Sequence, residues 1–368
     1  MRVLITGGAG FIGANLGVGL SKRHPDWDIV ALDNLRRRGA ELNFPRLRES
    51  GVGFAHGDVR IKDDVLAIAS KKLDAIVECS AEPSVVAGID ENPEYLVQSN
   101  LVGAYHCFEL ARLTGAHVLF LSTSRVYPVS SLERLAVREA DTRFELCDEQ
   151  PVVGASATGI SEMFPLTGAR TLYGATKLAA ELLLEEYRET YGIRVTVDRC
   201  GVVAGPWQMG KVDQGVFTYW MLGHYFRRPL TYIGFGGSGK QVRDILHIDD
   251  LLELVEVQLT DSENWDGITV NVGGGRMCSL SLLETTRLCA EITGNALDVR
   301  PSRQERPGDV PVYISDCSRL LRRTAWRPRR TPKQTLEDIY DWISRNERAV
   351  QAALEPTGFD QSERSLTP

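Results

Sequence analysis

The chain opens on the pattern that constrains it most: a short apolar run, Met1 to Thr6, passes without a break into TGGAGFIG and then into an apolar-periodic stretch from Phe11 to Leu20. Strand, glycine turn and helix in that order build a dinucleotide cradle. Among Gly7, Gly8, Gly10 and Gly13, one glycine lets the chain turn, one lets the backbone approach a pyrophosphate, and one lets the helix sit close to the sheet. The free N–H groups at the helix start, around Phe11 and Ile12, then face the phosphates. A second strand, Asp28 to Leu32, ends at Asp33, an acid about 20 positions on that accepts both ribose hydroxyls of an adenosine, with Asn34 beside it. An unpaired carboxylate repels a 2′-phosphate, so the pattern predicts NAD rather than NADP. Arg36, Arg37 and Arg38 are the cations that would soften that repulsion.

A chain of 368 residues, 43% hydrophobic and 25% charged, has the composition of a globular protein large enough for one big or two intimate domains. Its formal net charge of −7 argues against nucleic acid or an acidic membrane as partner, while leaving room for a local basic pocket. No apolar run is long enough to span a bilayer, and the N-terminus enters a strand at once, so neither a signal peptide nor a membrane helix is expected. Seven scattered cysteines without paired metal spacing read as buried thiols of a reducing compartment, which makes the expected location cytoplasmic. The histidines stand too far apart to argue for a metal site.

The remaining pattern alternates strand and helix. Strands are expected at Val52 to Ala55, Ala75 to Cys79, Ala116 to Leu121, Ile193 to Val197, Gln241 to Leu246 and Thr269 to Val272. Helices are expected near 62–71, 93–113, 172–191, 216–226, 249–259, 280–290 and 332–343. This is the signature of an α/β protein with a Rossmann-type, doubly wound parallel sheet. The reading divides the chain into a cofactor domain, 1–200, completed by part of 240–275, a smaller interleaved α/β substrate domain, 201–346, and a polar tail, 347–368, with nothing that asks for order. Residues 128–170 break the alternation and are expected to be a functional cover or a mobile insertion, with 159–172 closing over a ligand. Asp58, followed by Val59, comes after the third strand, where its carboxylate would meet the adenine amino group or simply open a helix.

A bound nicotinamide needs a partner for hydride exchange, and an alcohol substrate needs a base. Tyr173 and Lys177, in YGATK, stand one turn apart on the first turns of a helix. An ammonium beside a phenol favours phenolate, moving a group that titrates near 10 toward the range of a general base. Thr123 and Ser124, in LSTSRVY, follow the strand that enters the cofactor crevice, where a hydroxyl can donate to a substrate oxygen.

TGGAGFIG, Asp33, HGD, STSRVY, Asn100 in a long helix and YGATK together resemble the extended short-chain dehydrogenase/reductase family of nucleotide-sugar epimerases, dehydratases and decarboxylases. The likeness extends through GP at Gly205-Pro206, QVRDILHIDD at 241–250, NVGGG at 271–275 and RPGD at 306–309. It implies Thr123 as the catalytic hydroxyl, Tyr173 as the base, Lys177 as its partner, and Arg243 and Arg306 as cations for a substrate diphosphate. It also implies a nucleotide-diphosphate sugar as substrate, Ser80, Ala81 and Asn100 in the cofactor wall, and a homodimer formed by the helices near 93–113 and 173–191. Ser124, Arg125, Glu82, Gln214 in KVDQG, and Tyr232 are the further candidates for the sugar or base. Within the family, TRFELCDE, VDQGVFTYW and GGSGKQVRDILHIDD are most like the branch that inverts C2 of a CDP-linked 6-deoxy- or dideoxyhexose.

Dehydratases of the family carry an Asp-Glu pair after the threonine, to protonate a leaving hydroxyl and remove a proton. Ser124 and Arg125 supply neither. A UDP- or TDP-hexose 4-epimerase uses the same three residues and is the alternative, followed by a decarboxylase with Arg125 as its cation and, from a different class, a catalytically idle NAD-binding scaffold. Two departures from the family pattern, Val202 in RCGVVAGP and the CSAE stretch at 79–82, fall near the sugar and bear on its identity. His247 is expected to pack at the domain junction.

Overall fold

The computed structural model describes residues 1–70, 72–89, 92–210 and 214–354. Strand β1 (Arg2–Thr6) leads through the glycine turn into helix α1 (Phe11–Arg23). Then follow β2 (Asp28–Asp33), α2 (Phe44–Glu49), β3 (Gly53–His56), α3 (Lys62–Leu66) and β4 (Ala75–Glu78). One long helical run comprises α4 (Glu94–Val97), a π turn at Gln98–Val102 and α5 (Gly103–Thr114), before β5 (His117–Thr123). Beyond β5, α6 (Val129–Leu132) and two small hairpins, β6 (Val137–Glu139) with β7 (Phe144–Leu146) and β8 (Ala155–Ser156) with β9 (Gly159–Ile160), precede α7 (Leu172–Tyr191). The second half holds β10 (Val195–Cys200), β11 (Val202–Ala204), α8 (Val216–Tyr225), β12 (Thr231–Tyr232), β13 (Val242–His247) and α9 (Ile248–Thr260). Last come β14 (Ile268–Val272), β15 (Ser279–Ser281), α10 (Leu282–Thr293), β16 (Arg300–Pro301), β17 (Val312–Tyr313), α11 (Ser318–Arg323), α12 (Pro332–Arg345) and α13 (Glu347–Leu354).

Seven strands form a wholly parallel sheet in the order β14-β10-β5-β4-β1-β2-β3. β1, β4, β5 and β10 are buried along nearly their whole length, as strands covered by helices on both faces must be. One face packs α1 and α9 with Trp265 and Trp326; the other packs α5 and α7 around Phe108, Phe120 and Leu184. The order reverses between β1 and β4, and ligands of doubly wound sheets bind at that switch, beyond the strands' carboxyl ends. β14 rejoins this sheet from the far end of the chain, as Thr269–Val272 was expected to. A smaller sheet, β11-β13-β15 with β17 beside β13, and helices α8, α10 and α12 make the second lobe.

Two regions depart from the sequence reading. Residues 347–354, expected as unordered tail, form α13: Val350 is fully buried against the second lobe and the Arg38 guanidinium donates to the Ala352 carbonyl at 3.0 Å. The segment, ERAVQAAL, is amphipathic and is ordered by packing Val350 and Leu354 onto that lobe. Segment 159–172 does not cover the cleft. Ile160 pairs with the backbone around Ile314 and Asp316, Glu162 accepts from the Asn271 N–H at 2.7 Å, and Phe164 packs edge-on against Tyr127. The insertion 128–170 thus packs Leu132, Leu135, Leu146, Val152, Ile160 and Phe164 into a core shared with Val242, Val310, Val312, Tyr313 and Ile314.

Candidate active site

The glycine turn meets its geometric demands one residue at a time. Gly7 takes φ +60°, the left-handed region that glycine adopts freely, and its carbonyl accepts from the Gly10 N–H at 3.0 Å. A Cβ on Gly13 would lie 2.3 Å from the Gly7 oxygen, so only glycine lets α1 start this close to β1. Asp33 closes the cradle: one carboxylate oxygen accepts from the Ala9 N–H at 3.0 Å and the other from the Leu35 N–H at 2.7 Å. Burial pushes the Asp33 carboxyl up, and those backbone donors work against it.

These residues edge a cleft of about 1150 Å³ at the switch point. Gly7, Gly10, Phe11, Ile12, Gly13, Asp33, Asn34, Asp58, Val59, Ser80 and Ala81 all line it, and so do Thr123, Tyr173 and Lys177. Arg36 to Arg38, Tyr95 and the α13 residues Ala353 and Leu354 line it too. Asp58 is held by Arg60 and by the Asn34 amide at 2.9 Å; burial opposes its ionisation, but these donors win and its carboxyl falls to about 2. The guanidiniums of Arg36 and Arg60 stack on Tyr95 at 4.0 and 4.7 Å.

Two of the expected site residues stand away from the wall. Asn100 is turned by the π turn toward the loop after β4, where its amide clamps the backbone of Glu82, accepting from N–H at 2.7 Å and donating to C=O at 3.0 Å. It shapes the wall from behind while its neighbour Ser99 lines the cleft. Tyr232 lies in the core of the second lobe, stacked on Trp220 with its hydroxyl 2.7 Å from Thr286, because the second lobe needs a large ring there.

The chemistry-bearing end is built by α7. Thr171 caps the helix by accepting from the Gly174 N–H at 3.3 Å, and Gly192 ends it in the left-handed region. Gly174 lets the first turn press onto the backbone after β5; a Cβ there would lie 2.0 Å from the Arg125 oxygen. Tyr173 and Lys177 are thereby carried onto the cleft beside Thr123. Burial pushes the Tyr173 phenol up, opposed by the Lys177 ammonium and a hydrogen bond with Thr123. Behind them Arg199 and Glu181 form a buried ion pair at 2.7 Å that also engages Ser122, fixing α7 to β5 and β10.

Glu82, Ser124, Arg125, Gln214, Arg243 and Arg306 line the same cleft. Lys211, Val212 and Asp213, the start of KVDQG, lie outside the described residues. Arg243 is ion-paired with Asp309 and donates to the Val310 carbonyl at 2.8 Å, so RPGD already engages part of its fork. Arg125 donates to the Gly308 carbonyl at 2.9 Å; burial lowers its guanidinium to about 10, the neighbouring Arg243 adding to the effect. Glu82 accepts from the Ser84 N–H at 3.1 Å. His247 packs at the junction, accepting from the Asp249 N–H at 3.0 Å.

Buried polar atoms without a protein partner mark where a ligand would bond: Ser80 Oγ, Gln214 Oε1 and Gln241 Oε1 all sit in the cleft wall. Gln241 escaped the sequence reading, although it stands two residues before Arg243. The glycine cradle that a Cβ would fill, the acid at the end of β2 and these unpartnered polar atoms fit a dinucleotide and a second polar ligand in one cleft.

The chain matches the NAD dependent epimerase/dehydratase family over residues 3–273 and belongs to it. NAD is its cofactor, and the chain is an enzyme. Among curated relatives it is 30% identical over 355 residues to CDP-paratose 2-epimerase of Salmonella typhi, covering 94% of this chain and 99% of that one. It is 28% identical over 349 residues to dTDP-glucose 4,6-dehydratase of Mycobacterium tuberculosis, covering 94% of each. Among solved structures, the UDP-glucose 4-epimerase of Thermus thermophilus, in complex with NAD, superposes with a TM-score of 0.76 at 27% identity, covering 94% of this chain and 99% of that one.

Proposed function

We propose that this enzyme is a nucleotide-sugar epimerase that inverts one hexose carbon by transient oxidation and re-reduction, with C4 of a UDP- or TDP-hexose as the reacting centre. What carries the reading is that Thr123, Tyr173 and Lys177 line the same cleft as the glycine cradle and Arg125, Arg243 and Arg306. When bound, NAD supplies hydride acceptance and return. Tyr173 as phenolate takes the proton of the sugar hydroxyl, Thr123 donates to the oxygen as it becomes a carbonyl, and Lys177 holds the phenolate form. Arg243 and Arg306 grip the diphosphate while the keto sugar turns and exposes its other face. Ser124 and Arg125 provide no acid–base pair for losing water, which favours inversion over dehydration.

The 4-epimerase similarity among solved structures supports C4. A second reading, inversion at C2 of a CDP-6-deoxy- or dideoxyhexose, is supported by the 30% identical relative from Salmonella typhi and by the QVRDILHIDD and TRFELCDE segments. Incubation with a panel of UDP-, TDP-, CDP- and GDP-hexoses, read by NMR, separates them. C4 inversion supports the first reading, C2 inversion the second, and loss of water or CO₂ overturns both.

The working unit in this reading is a homodimer joined through α5 and α7. Those helices leave Leu113, Leu182 and Tyr191 more than half exposed, at 55%, 57% and 52%. Light scattering should give twice the chain mass, and Leu182→Glu should halve it; a monomeric wild type would refute the dimer.

A further inference from the structure

Outside the residues used so far, the most unusual group near the cleft is a carboxylate sealed beneath it. Glu78, the last residue of β4, is 0% exposed and does not line the cleft. One oxygen accepts from the Ser80 N–H at 3.0 Å and from the Thr6 hydroxyl at 3.5 Å. The other lies 3.4 Å from Nζ of Lys177, whose side chain is 2% exposed. Of the ion pairs among the described residues this is the most deeply buried. Nζ also sits 4.1 Å from the centroid of the Phe120 ring. An ammonium has three donors and no acceptor. One reaches Glu78, one side is covered by Phe120, and what remains faces the cleft and Tyr173.

The other titratable groups around Lys177 do not replace Glu78. Cys79 just after β4, Cys107 of α5 and Cys200 of β10 are thiols pushed up by burial, and hence neutral. Glu181, one turn along α7, is committed to Arg199 and Ser122. Tyr173 on α7 and Arg125 after β5 complete the set, and Arg125 is a like charge. Burial pushes the Glu78 carboxyl up, and the Lys177 ammonium is the first of the groups that oppose it. A buried ion pair is weak evidence for stability, since well-packed apolar residues often do as well. Its place here, against the lysine that serves the base, gives it a different use.

We propose that Glu78 is a positioning residue of this active site, the buried counter-charge that keeps the Lys177 ammonium protonated and fixed one helical turn from Tyr173. The inference rests on the role of Tyr173 and Lys177 in the reading above.

The test uses Glu78→Gln, which keeps the shape and removes the charge, and Glu78→Asp, which keeps the charge. Both are assayed with whichever nucleotide hexose the wild type turns over. A buried ammonium that loses its counter-charge releases its proton about one unit or more lower. The ratio of wild-type to Glu78→Gln kcat should therefore grow about tenfold between neutral and alkaline pH. KM should hold, and Glu78→Asp should recover a pH-independent ratio. A ratio constant with pH would overturn the proposal, since a purely structural role lowers the rate uniformly. A second arm needs no substrate. Lys177→Met strands the carboxylate and should lower the melting temperature of the holoenzyme, and adding Glu78→Gln should restore most of that loss; failure to restore it would also overturn the pairing. A wild type that turns over no nucleotide hexose would instead refute the function reading, while the thermal arm still judges the pair.

Discussion

Gly13→Ala and Gly10→Ala should separate two duties that the glycine turn performs at once. At Gly13 the added Cβ would lie 2.3 Å from the Gly7 oxygen and 2.8 Å from the Gly8 Cα. An ordinary contact lies near 3.5 Å, so the first turn of α1 must retreat from β1 by about 1 Å. Overpacking of this kind costs about 1–3 kcal/mol. The same retreat carries the helix-start N–H groups away from the phosphates, and each charge-assisted hydrogen bond lost costs about 1.5–3 kcal/mol, or a 10- to 100-fold loss of affinity. At Gly10 the Cβ meets only the Gly7 oxygen at 3.1 Å, in a backbone conformation, φ −70° and ψ 176°, open to any residue. Gly10→Ala should thus fold like wild type and lose NAD affinity, because it lines the cleft where the pyrophosphate approaches. Gly13→Ala should lose both. NADH fluorescence titration and thermal melts of the apoproteins read the two quantities separately. A Gly13→Ala protein with wild-type melting and wild-type NADH affinity would refute the reasoning.

Three further outcomes follow from the site. Tyr173→Phe should keep NAD bound and lower kcat by about 10²–10⁴, Lys177→Ala should harm both, and Thr123→Ala should cost less than the tyrosine change; because burial raises the Tyr173 phenol, wild-type kcat should climb from neutral to alkaline pH, as stopped assays across pH would record. Arg243→Ala and Arg306→Ala should each raise KM strongly with a smaller change in kcat, and an unchanged KM in both would move the diphosphate elsewhere. Asp58, lowered from 3.8 to about 2 in the folded chain, contributes stability that is complete above about pH 4 and disappears as pH falls through 2. Melts across that window should show this loss in wild type and not in Asp58→Asn.

Local chemistry was what the sequence made legible. Gly13 is dictated by contacts within a few residues, Gly7 by its left-handed backbone, and Tyr173 and Lys177 by helical spacing, so motif and geometry coincide. The parallel sheet followed from apolar runs separated by helices, down to the return of β14. Long-range packing was less accessible. Tyr232 was a candidate for the sugar or base, with domain core an equal alternative, and Trp220 and Thr286, from α8 and α10, claim it for the core. Asn100 was expected in the cofactor wall; a π turn that no periodicity signals rotates it onto the Glu82 backbone. Glu78 looks like the polar end of a buried strand, and only the fold shows that its carboxylate meets Lys177 from a position 99 residues away. Segment 159–172 was expected over the ligand because it precedes Tyr173 in sequence. Its anchors, however, are Ile314, Asp316 and Asn271, which come together only in the folded chain.

The central claim is that hydride leaves and returns to one sugar carbon within a closed cycle. It is tested most directly with a nucleotide hexose carrying deuterium on the carbon that is inverted, incubated in ordinary water, with the epimeric product read by NMR and mass. The account predicts that the product retains the deuterium at the inverted carbon and that the holoenzyme needs no added NAD. Loss of the label to solvent would replace hydride return with proton abstraction and would contradict the account.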